Sequence, residues 1–139
     1  YAVVVHPQIE VRTSDARSVL IEQVTLKKAI IQWGNLGGLI SGLYTEDYGL
    51  ISRSLHDEIV EPLRSVLIPG FDAIKKAAID SGALGSGISG SGPSIFALCK
   101  GKESAQKVLV AMCNVLNDMK IPYDRHLSIV NPNGTQIIK

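Results

Sequence analysis

Gly82-Ala-Leu-Gly-Ser-Gly-Ile-Ser-Gly-Ser-Gly-Pro-Ser94 is the most informative stretch of this chain. It contains five of the 13 glycines and four serines. The surrounding residues favour strands, so we predict two strands, 83–89 and 94–99, joined across Gly90–Pro93. Glycine and serine allow backbone N–H groups to converge on an anion such as phosphate. We favour an anion site here, and a glycine-rich hairpin without a ligand is the alternative.

Three well-known motifs come close to this stretch, and none of them fits it. Gly85–Gly90 has the G-x-G-x-x-G spacing of a dinucleotide site, which needs a helix that opens on its last glycine. Pro93 and a strand-like run follow instead. A Walker A loop needs a lysine after its last glycine, and no lysine lies between Lys76 and Lys100. A lipase-type G-x-S-x-G motif is also absent, because Ser91 occupies the position of its last glycine.

The hydrophobic pattern on either side predicts strands and helices in a mixed order. The predicted strands are 2–5, 9–12, 83–89, 94–99, 127–130 and 135–138, the last two forming a closing hairpin, and the predicted helices begin at Thr13 and cover 26–44, 49–59, 71–80 and 103–119. Helices that cover one face of a largely antiparallel sheet form an α+β fold. We expect residues 1–139 to form one domain.

The second helix has an apolar stripe and three glycines. The stripe consists of Leu26, Ala29, Ile30, Trp33, Gly37, Ile40 and Tyr44. Gly34, Gly38 and Gly42 each cost about 1 kcal/mol relative to alanine, which favours close packing against another helix over room for a ligand. In the helix 71–80 we expect the inward residues to be Phe71, Ile74, Ala78 and Ile79.

Composition excludes several classes of protein. The 139 residues are 45% hydrophobic, with 14 basic and 13 acidic side chains, so the basic excess of a nucleic-acid binder is absent. No apolar run is long enough to span a membrane. Cys99 and Cys113 are too few for a disulfide scaffold and indicate a reducing compartment, so we expect a cytoplasmic protein. Because the sequence begins at Tyr1 in a strand-like run, we expect a piece of a longer polypeptide.

Three polar side chains are candidates for a binding site. Thr13 and Arg17 lie four residues apart, so both can project from one side of a helix start; the simpler interpretations are a helix cap and a surface ion pair. Arg64 follows Pro62 in predicted irregular backbone, where its guanidinium is well placed to bind a carboxylate through two hydrogen bonds. A salt bridge from Arg64 to Glu61 or Asp57 is the alternative.

The sequence gives no sign of a metal site or a catalytic group. His6, His56 and His126 are scattered without ligand spacing. The glycine- and serine-rich stretch contains no carboxylate, and Asp72, Asp80 and Glu103 occupy predicted surface positions of helices. We therefore expect neither a metal ligand set nor a catalytic residue within this chain.

Residues 84–98 resemble the third glycine-rich motif of the GHMP kinases, a superfamily of small-molecule kinases. Within it, Glu61-Pro-Leu-Arg-Ser-Val-Leu-Ile-Pro-Gly-Phe71, and His6-Pro with Thr13-Ser-Asp-Ala-Arg17, resemble the homoserine kinases. The similarity covers nearly the whole chain. It implies the GHMP-kinase C-terminal fold with a ferredoxin-like core. It also implies phosphorylation of the L-homoserine hydroxyl with ATP and Mg²⁺, a step in threonine biosynthesis.

The resemblance also implies roles for individual residues. Arg17 and Arg64 would grip the homoserine carboxylate, and Thr13 would lie near the reacting hydroxyl. The loop that approaches the phosphates would consist of Gly87, Ile88, Ser89, Gly90, Ser91 and Gly92.

The family's ATP-binding glycine motif and its Mg²⁺-binding acidic segment do not occur in this sequence. Both belong to the N-terminal half of such enzymes, so we expect this C-terminal half to pair with that N-terminal half and to be inactive alone. The face that meets the other half favours self-association when exposed, so a homodimer is a further expectation. A non-catalytic, metabolite-binding regulatory domain and another GHMP small-molecule kinase remain as alternatives.

Overall fold

A computed structural model describes residues 1–134 and 137. Along the chain it contains β1 (Ala2–Pro7), α1 (Thr13–Ser18), α2 (Leu26–Thr45), α3 (Tyr48–Ser54), α4 (Glu61–Arg64), a 3-10 turn (Ser65–Leu67), α5 (Phe71–Asp80), β2 (Gly85–Ile88), β3 (Ile95–Leu98), α6 (Lys102–Asp118) and β4 (Tyr123–Ser128). None of the helices in the described part is long and apolar enough to cross a membrane.

The four strands form an antiparallel sheet in the order β2-β3-β1-β4. Alternate residues of the two central strands, Val3, Val5, Ile95 and Ala97, are completely buried and belong to one core with α5 and α6. The period of two in side-chain direction explains this alternation. The helices bury Phe71, Ile74, Ala78, Val108, Met112 and Leu116 in the same core. The predicted α+β class is confirmed.

Local signals place several helix ends where we expected them. Thr25 caps α2, its side chain accepting a hydrogen bond from the Lys28 N–H, and Asp47 caps α3 in the same way through the Leu50 N–H. The helix α5 covers 71–80 as predicted. Its residue Ile79 was expected inside and is 43% exposed, because the neighbouring Ala78 takes the buried position.

Other boundaries differ from the prediction. The helix α3 ends at Ser54, five residues early, because the Asp57 carboxylate accepts hydrogen bonds from the N–H groups of Ile59 and Val60 and ties the chain into a turn. Pro62 then lies in the first turn of α4, where its missing N–H costs nothing. Residues 9–12, which were predicted to form a strand, do not form one. The strand predicted over 127–130 is β4, which begins earlier, at Tyr123, because its pairing with β1 extends to Pro7. The second strand of the predicted hairpin, 135–138, lies outside the described residues except for residue 137.

The glycines of α2 explain how it packs. A Cβ at Gly42 would lie 3.0 Å from the Ile51 backbone nitrogen, and one at Gly38 would meet the Ser54 side chain. The close approach of α2 and α3 therefore requires these two glycines, as predicted. Gly34 differs, because a Cβ there would meet nothing within 4 Å.

Candidate functional site

A cleft of about 250 Å³ lies between the α2–α3 pair and the edge strand β2. Its lining includes residues of α2, the end of α3, α4, β2 and the turn that follows β2. Apolar walls come from Leu36, Leu39, Leu55, Val60, Ile88 and Phe96, and polar groups from Gln32, Asn35, Ser54, His56, Asp57, Glu61, Arg64 and Ser86. A concave apolar surface with a few converging polar groups is typical of a small-molecule site.

The predicted phosphate loop divides into a strand and a turn. Gly87 and Ile88 belong to β2, and Ser89, Gly90, Ser91 and Gly92 form the turn to β3. Gly90 has φ 64° and Gly92 φ 82°, a backbone conformation that glycine adopts readily. Among the described residues nothing accepts a hydrogen bond from the N–H of Gly90 or Ser91. Two free donors on this turn can bind an anion.

Arg64 connects this turn to α1. Its Nε donates to the Ala16 carbonyl oxygen (3.1 Å), and its Nη1 donates to the Gly90 carbonyl oxygen (3.0 Å). A guanidinium has five N–H donors, so three remain for a ligand in the cleft that Arg64 lines. The alternative salt bridge to Glu61 or Asp57 is not formed. Arg64 is therefore held in place by neutral carbonyls, and no acidic side chain in the part of the chain that the structure describes forms an ion pair with it.

The helix that carries Thr13 and Arg17 contacts Arg64 through the Ala16 carbonyl. The helix α1 begins at Thr13, with Arg12 and not Thr13 at the capping position, so the expected cap is wrong. The side chains of Thr13 and Arg17 are exposed, while Ala16 between them is completely buried. Neither side chain lines the cleft, and within the described part of the chain Arg17 makes no ion pair. The structure brings α1 to Arg64, and the described residues give the Thr13 and Arg17 side chains no hydrogen-bond partner.

A salt bridge beneath the loop was not anticipated. Glu61 pairs with Lys75 of α5, and their side chains are only 11% and 19% exposed. A Cβ at Gly87 would lie 2.7 Å from Glu61 Oε2 and 3.3 Å from Phe96 Cε1. Gly87 therefore leaves room for the Glu61 carboxylate. The two residues are 14 positions apart on different helices, so helical spacing could not reveal this pair.

Polar residues of α2 were also missed. Gln32 Oε1 accepts from the Glu58 N–H at 2.9 Å, and Asn35 Nδ2 donates to the His56 carbonyl oxygen at 3.1 Å. These hydrogen bonds attach α2 to the segment that follows α3 and form one wall of the cleft. The signal in the sequence was present, since both residues interrupt the apolar run of α2.

Metal binding finds little support in these residues. Across 1–134 and 137, no group of three His, Cys, Asp or Glu side chains is arranged to hold a metal. The two carboxylates that line the cleft are engaged, Asp57 by backbone N–H groups and Glu61 by Lys75. Mg²⁺ is held by several oxygen ligands in octahedral geometry, and two carboxylates that are each already bonded within the chain do not by themselves form such a site.

The two groups with shifted pKa values do not line the cleft. Burial raises the pKa of the Cys99 thiol, an effect reduced by the nearby N-terminal charge. The side-chain hydrogen bond with Cys113, followed by burial, raises the pKa of Tyr123. Both cysteines are free and buried. These groups therefore belong to the core.

Comparison with known proteins identifies the family. The domain described as "GHMP kinases C terminal" matches residues 27–118, about two thirds of the chain. The chain belongs to the GHMP kinases. This GHMP kinase domain is 51% identical to the homoserine kinase of Chlorobium phaeobacteroides (strain BS1) and 52% identical to that of Chlorobaculum tepidum, over 99% of its length in each case.

A solved structure supports the same fold. The crystal structure of homoserine kinase from Cytophaga hutchinsonii superposes with a TM-score of 0.92 at 55% identity, covering 94% of this GHMP kinase domain. That match covers 41% of the crystallised chain, and the two curated relatives are covered to 44% and 43%. The domain thus spans less than half the length of the relatives it matches.

Proposed function

We propose that this chain is the C-terminal, substrate-side part of an ATP-dependent homoserine kinase that acts in the cytoplasm in threonine biosynthesis. The resemblance of the 61–71 and 84–98 segments supports this function, and so does the identity of more than 50% to proteins of that name. The observation that carries the proposal is the position of Arg64, held between α1 and the glycine turn with free donors facing a cleft.

Arg64 suits the carboxylate of an amino-acid substrate. Its guanidinium is held by two backbone carbonyls, so little side-chain freedom is lost when a ligand binds. The remaining N–H donors match a carboxylate. In the proposal Arg17, one residue beyond the carbonyl that Arg64 holds, adds a second positive charge, and Thr13 lies near the reacting hydroxyl.

The turn 89–92 is proposed to approach the phosphates of ATP. The free N–H groups of Gly90 and Ser91 provide partial positive charge without bulk. Arg64 holds the carbonyl of Gly90 and so fixes the orientation of this peptide. In the reaction the substrate hydroxyl oxygen bonds to the γ-phosphorus as the bond to ADP breaks, and the hydroxyl proton is released to solvent. Catalysis rests on positioning and charge stabilisation.

Part of this apparatus lies outside the chain in our proposal. The carboxylates of the cleft are engaged, so we assign Mg²⁺ and most ATP contacts to the remaining length of the relatives, the N-terminal half. We expect the 139-residue chain alone to show no phosphoryl transfer, because the described residues contain no metal-ligand cluster and both carboxylates that line the cleft are already bonded within the chain. Turnover by the isolated chain above that of an unrelated protein would contradict this.

Substitution of Arg64 tests the carboxylate contact. In the longest natural polypeptide that contains the chain, Arg64→Ala should raise the KM for homoserine at least about 30-fold, the effect of losing roughly 2 kcal/mol from a charge-paired contact. Arg64→Lys keeps the positive charge and loses the planar arrangement of donors. Its KM for homoserine should therefore lie between those of the unsubstituted protein and of Arg64→Ala. Arg125→Ala, on an exposed site of β4, is the matched control and should leave KM unchanged.

The same assay separates the alternatives. A KM for homoserine that does not respond to Arg64→Ala would refute the carboxylate contact. Turnover of mevalonate or a sugar in place of homoserine would favour another GHMP kinase. A polypeptide that binds a metabolite without any ATP turnover would favour the regulatory domain.

A further inference from the structure

Glu61 and Arg64 lie three residues apart in α4, and both line the cleft. Side chains at this spacing are neighbours on a helix, and a glutamate and an arginine there attract each other. Local geometry therefore favours an ion pair between Glu61 and Arg64. Such a pair would occupy the N–H donors that the proposed function assigns to a substrate carboxylate.

The structure forms a different ion pair. The Oε1 atom of Glu61 accepts a hydrogen bond from Lys75 Nζ of α5, and the pair is largely buried. The other oxygen, Oε2, lies on the side of Gly87, where an added Cβ would come within 2.7 Å of it. The carboxylate lies between an ammonium group and the strand β2, so it has little freedom to turn toward Arg64.

The two other acidic side chains of this segment, Asp57 and Glu58, also have partners. Asp57 Oδ1 accepts two backbone hydrogen bonds at 2.8 Å, and Glu58 Oε1 lies 3.0 Å from His56 Nε2. Within the described residues neither of them forms an ion pair with Arg64. Whether the guanidinium keeps its positive charge uncompensated thus depends on where the Glu61 carboxylate is held.

We propose that Lys75 is a positioning residue for the substrate site: by binding Glu61 it keeps the guanidinium of Arg64 available to the substrate carboxylate. Lys75 itself lies outside the cleft lining that the described residues form, so it acts through Glu61. Without Lys75, the Glu61 carboxylate would compete for Arg64 and repel a substrate carboxylate. This inference rests on the proposed function, to which the carboxylate contact of Arg64 belongs.

Lys75→Met tests this role in the longest natural polypeptide that contains the chain, because methionine keeps the apolar length of the side chain and removes its charge. The KM for homoserine should rise about tenfold or more, while kcat changes by less than about threefold. Lys76→Met is the matched control. It removes the adjacent lysine of α5, whose ion pair with Asp80 is exposed, and should leave the KM unchanged.

Glu61→Gln separates this role from a purely structural one. It breaks the same ion pair, but a neutral amide cannot neutralise Arg64, so the KM for homoserine should rise by less than about threefold. Adding Glu61→Gln to Lys75→Met should bring the KM back to within about threefold of the unsubstituted value. Lys75→Gln keeps a hydrogen bond to Glu61, so it should fold even if Lys75→Met does not, and its KM should lie between those of Lys75→Met and the unsubstituted protein.

A crystal structure of the Lys75→Met polypeptide adds a measurement that does not depend on turnover. The Glu61 carboxylate should lie within about 4 Å of the Arg64 guanidinium, the range of an ion pair. A carboxylate that stays beside Gly87 would overturn the inference. So would a KM that rises equally in Glu61→Gln and Lys75→Met, or one that the double variant fails to restore, and the proposed function would still stand. Absence of homoserine turnover by the unsubstituted polypeptide would overturn the proposed function and, with it, the role given to Lys75.

Discussion

Replacing Gly87 by alanine tests whether this glycine serves packing or ligand binding. The new Cβ would lie 2.7 Å from Glu61 Oε2, and Glu61 cannot move away without loosening its ion pair with Lys75. Such overpacking costs about 1–3 kcal/mol. The lower entropy of the unfolded alanine chain returns about 0.4–1 kcal/mol. We expect Gly87→Ala to lower the free energy of unfolding by about 1–2 kcal/mol.

A double-mutant cycle isolates the cause. In the Glu61→Ala background the obstructing carboxylate is gone and the Phe96 ring, at 3.3 Å, is the nearest remaining contact. There Gly87→Ala should cost nothing or stabilise slightly, which gives a coupling energy of about 1–2 kcal/mol. Urea denaturation measures this, and the Gly87→Ala midpoint should fall by roughly 0.5–1 M at an ordinary slope.

Gly49→Ala in α3 is the matched control. Its Cβ would be 3.3 Å from Asp47 Oδ1 at an exposed helical position, so it should be neutral or stabilising by up to about 1 kcal/mol. The reasoning fails if the effects of Gly87→Ala and Glu61→Ala add within about 0.5 kcal/mol. It fails equally if Gly87→Ala leaves stability unchanged and weakens only nucleotide binding, since Gly87 would then serve the ligand.

Three other predictions concern the core and its connections. Met112→Ala should destabilise the chain by about 2–5 kcal/mol because the side chain is completely buried, while Val110→Ala on the same helix should cost under about 0.5 kcal/mol; thermal unfolding compares them. Asp57→Ala should cost about 1 kcal/mol by freeing two backbone N–H groups, measurable in urea, and no loss would contradict the turn. Burial raises the pKa of Cys99, so its contribution to stability is present below the ordinary thiol pKa and is lost as pH rises above about 8.5. Cys99→Ser should flatten that alkaline decline in a pH series of melting temperatures, and an equally steep decline would refute the assignment.

Elements governed by neighbouring residues were predictable from the sequence. The helices α2 and α5 were predicted to within one residue, because glycine, proline and capping residues act over a single turn. The strands around the glycine-rich stretch follow from their β-prone residues. The end of α3 was missed, since the turn at Asp57 replaces a helix by side-chain hydrogen bonds that periodicity does not show.

The candidate site was predictable in its residue types and not in its connections. Arg64 was singled out because it follows a proline-forced break. Its actual partners are the carbonyls of Ala16 and Gly90, 48 and 26 residues away. Likewise, Glu61 of α4 pairs with Lys75 of α5, 14 residues further along the chain. Side-chain identity indicates what a group can bind, while long-range packing determines which groups meet.

The sequence by itself determined the antiparallel α+β class, the glycine turn and the apolar stripe of α2, because all three arise from short-range periodicity and backbone freedom. The tertiary structure decided which side of α2 is covered. Gly38 and Gly42 permit contact with α3, so the helix turns its small residues inward and leaves Trp33 and Tyr44 exposed. A period of 3.6 residues shows that a face is apolar. Only the position of the helix in the fold shows that the described part of the chain leaves this face uncovered.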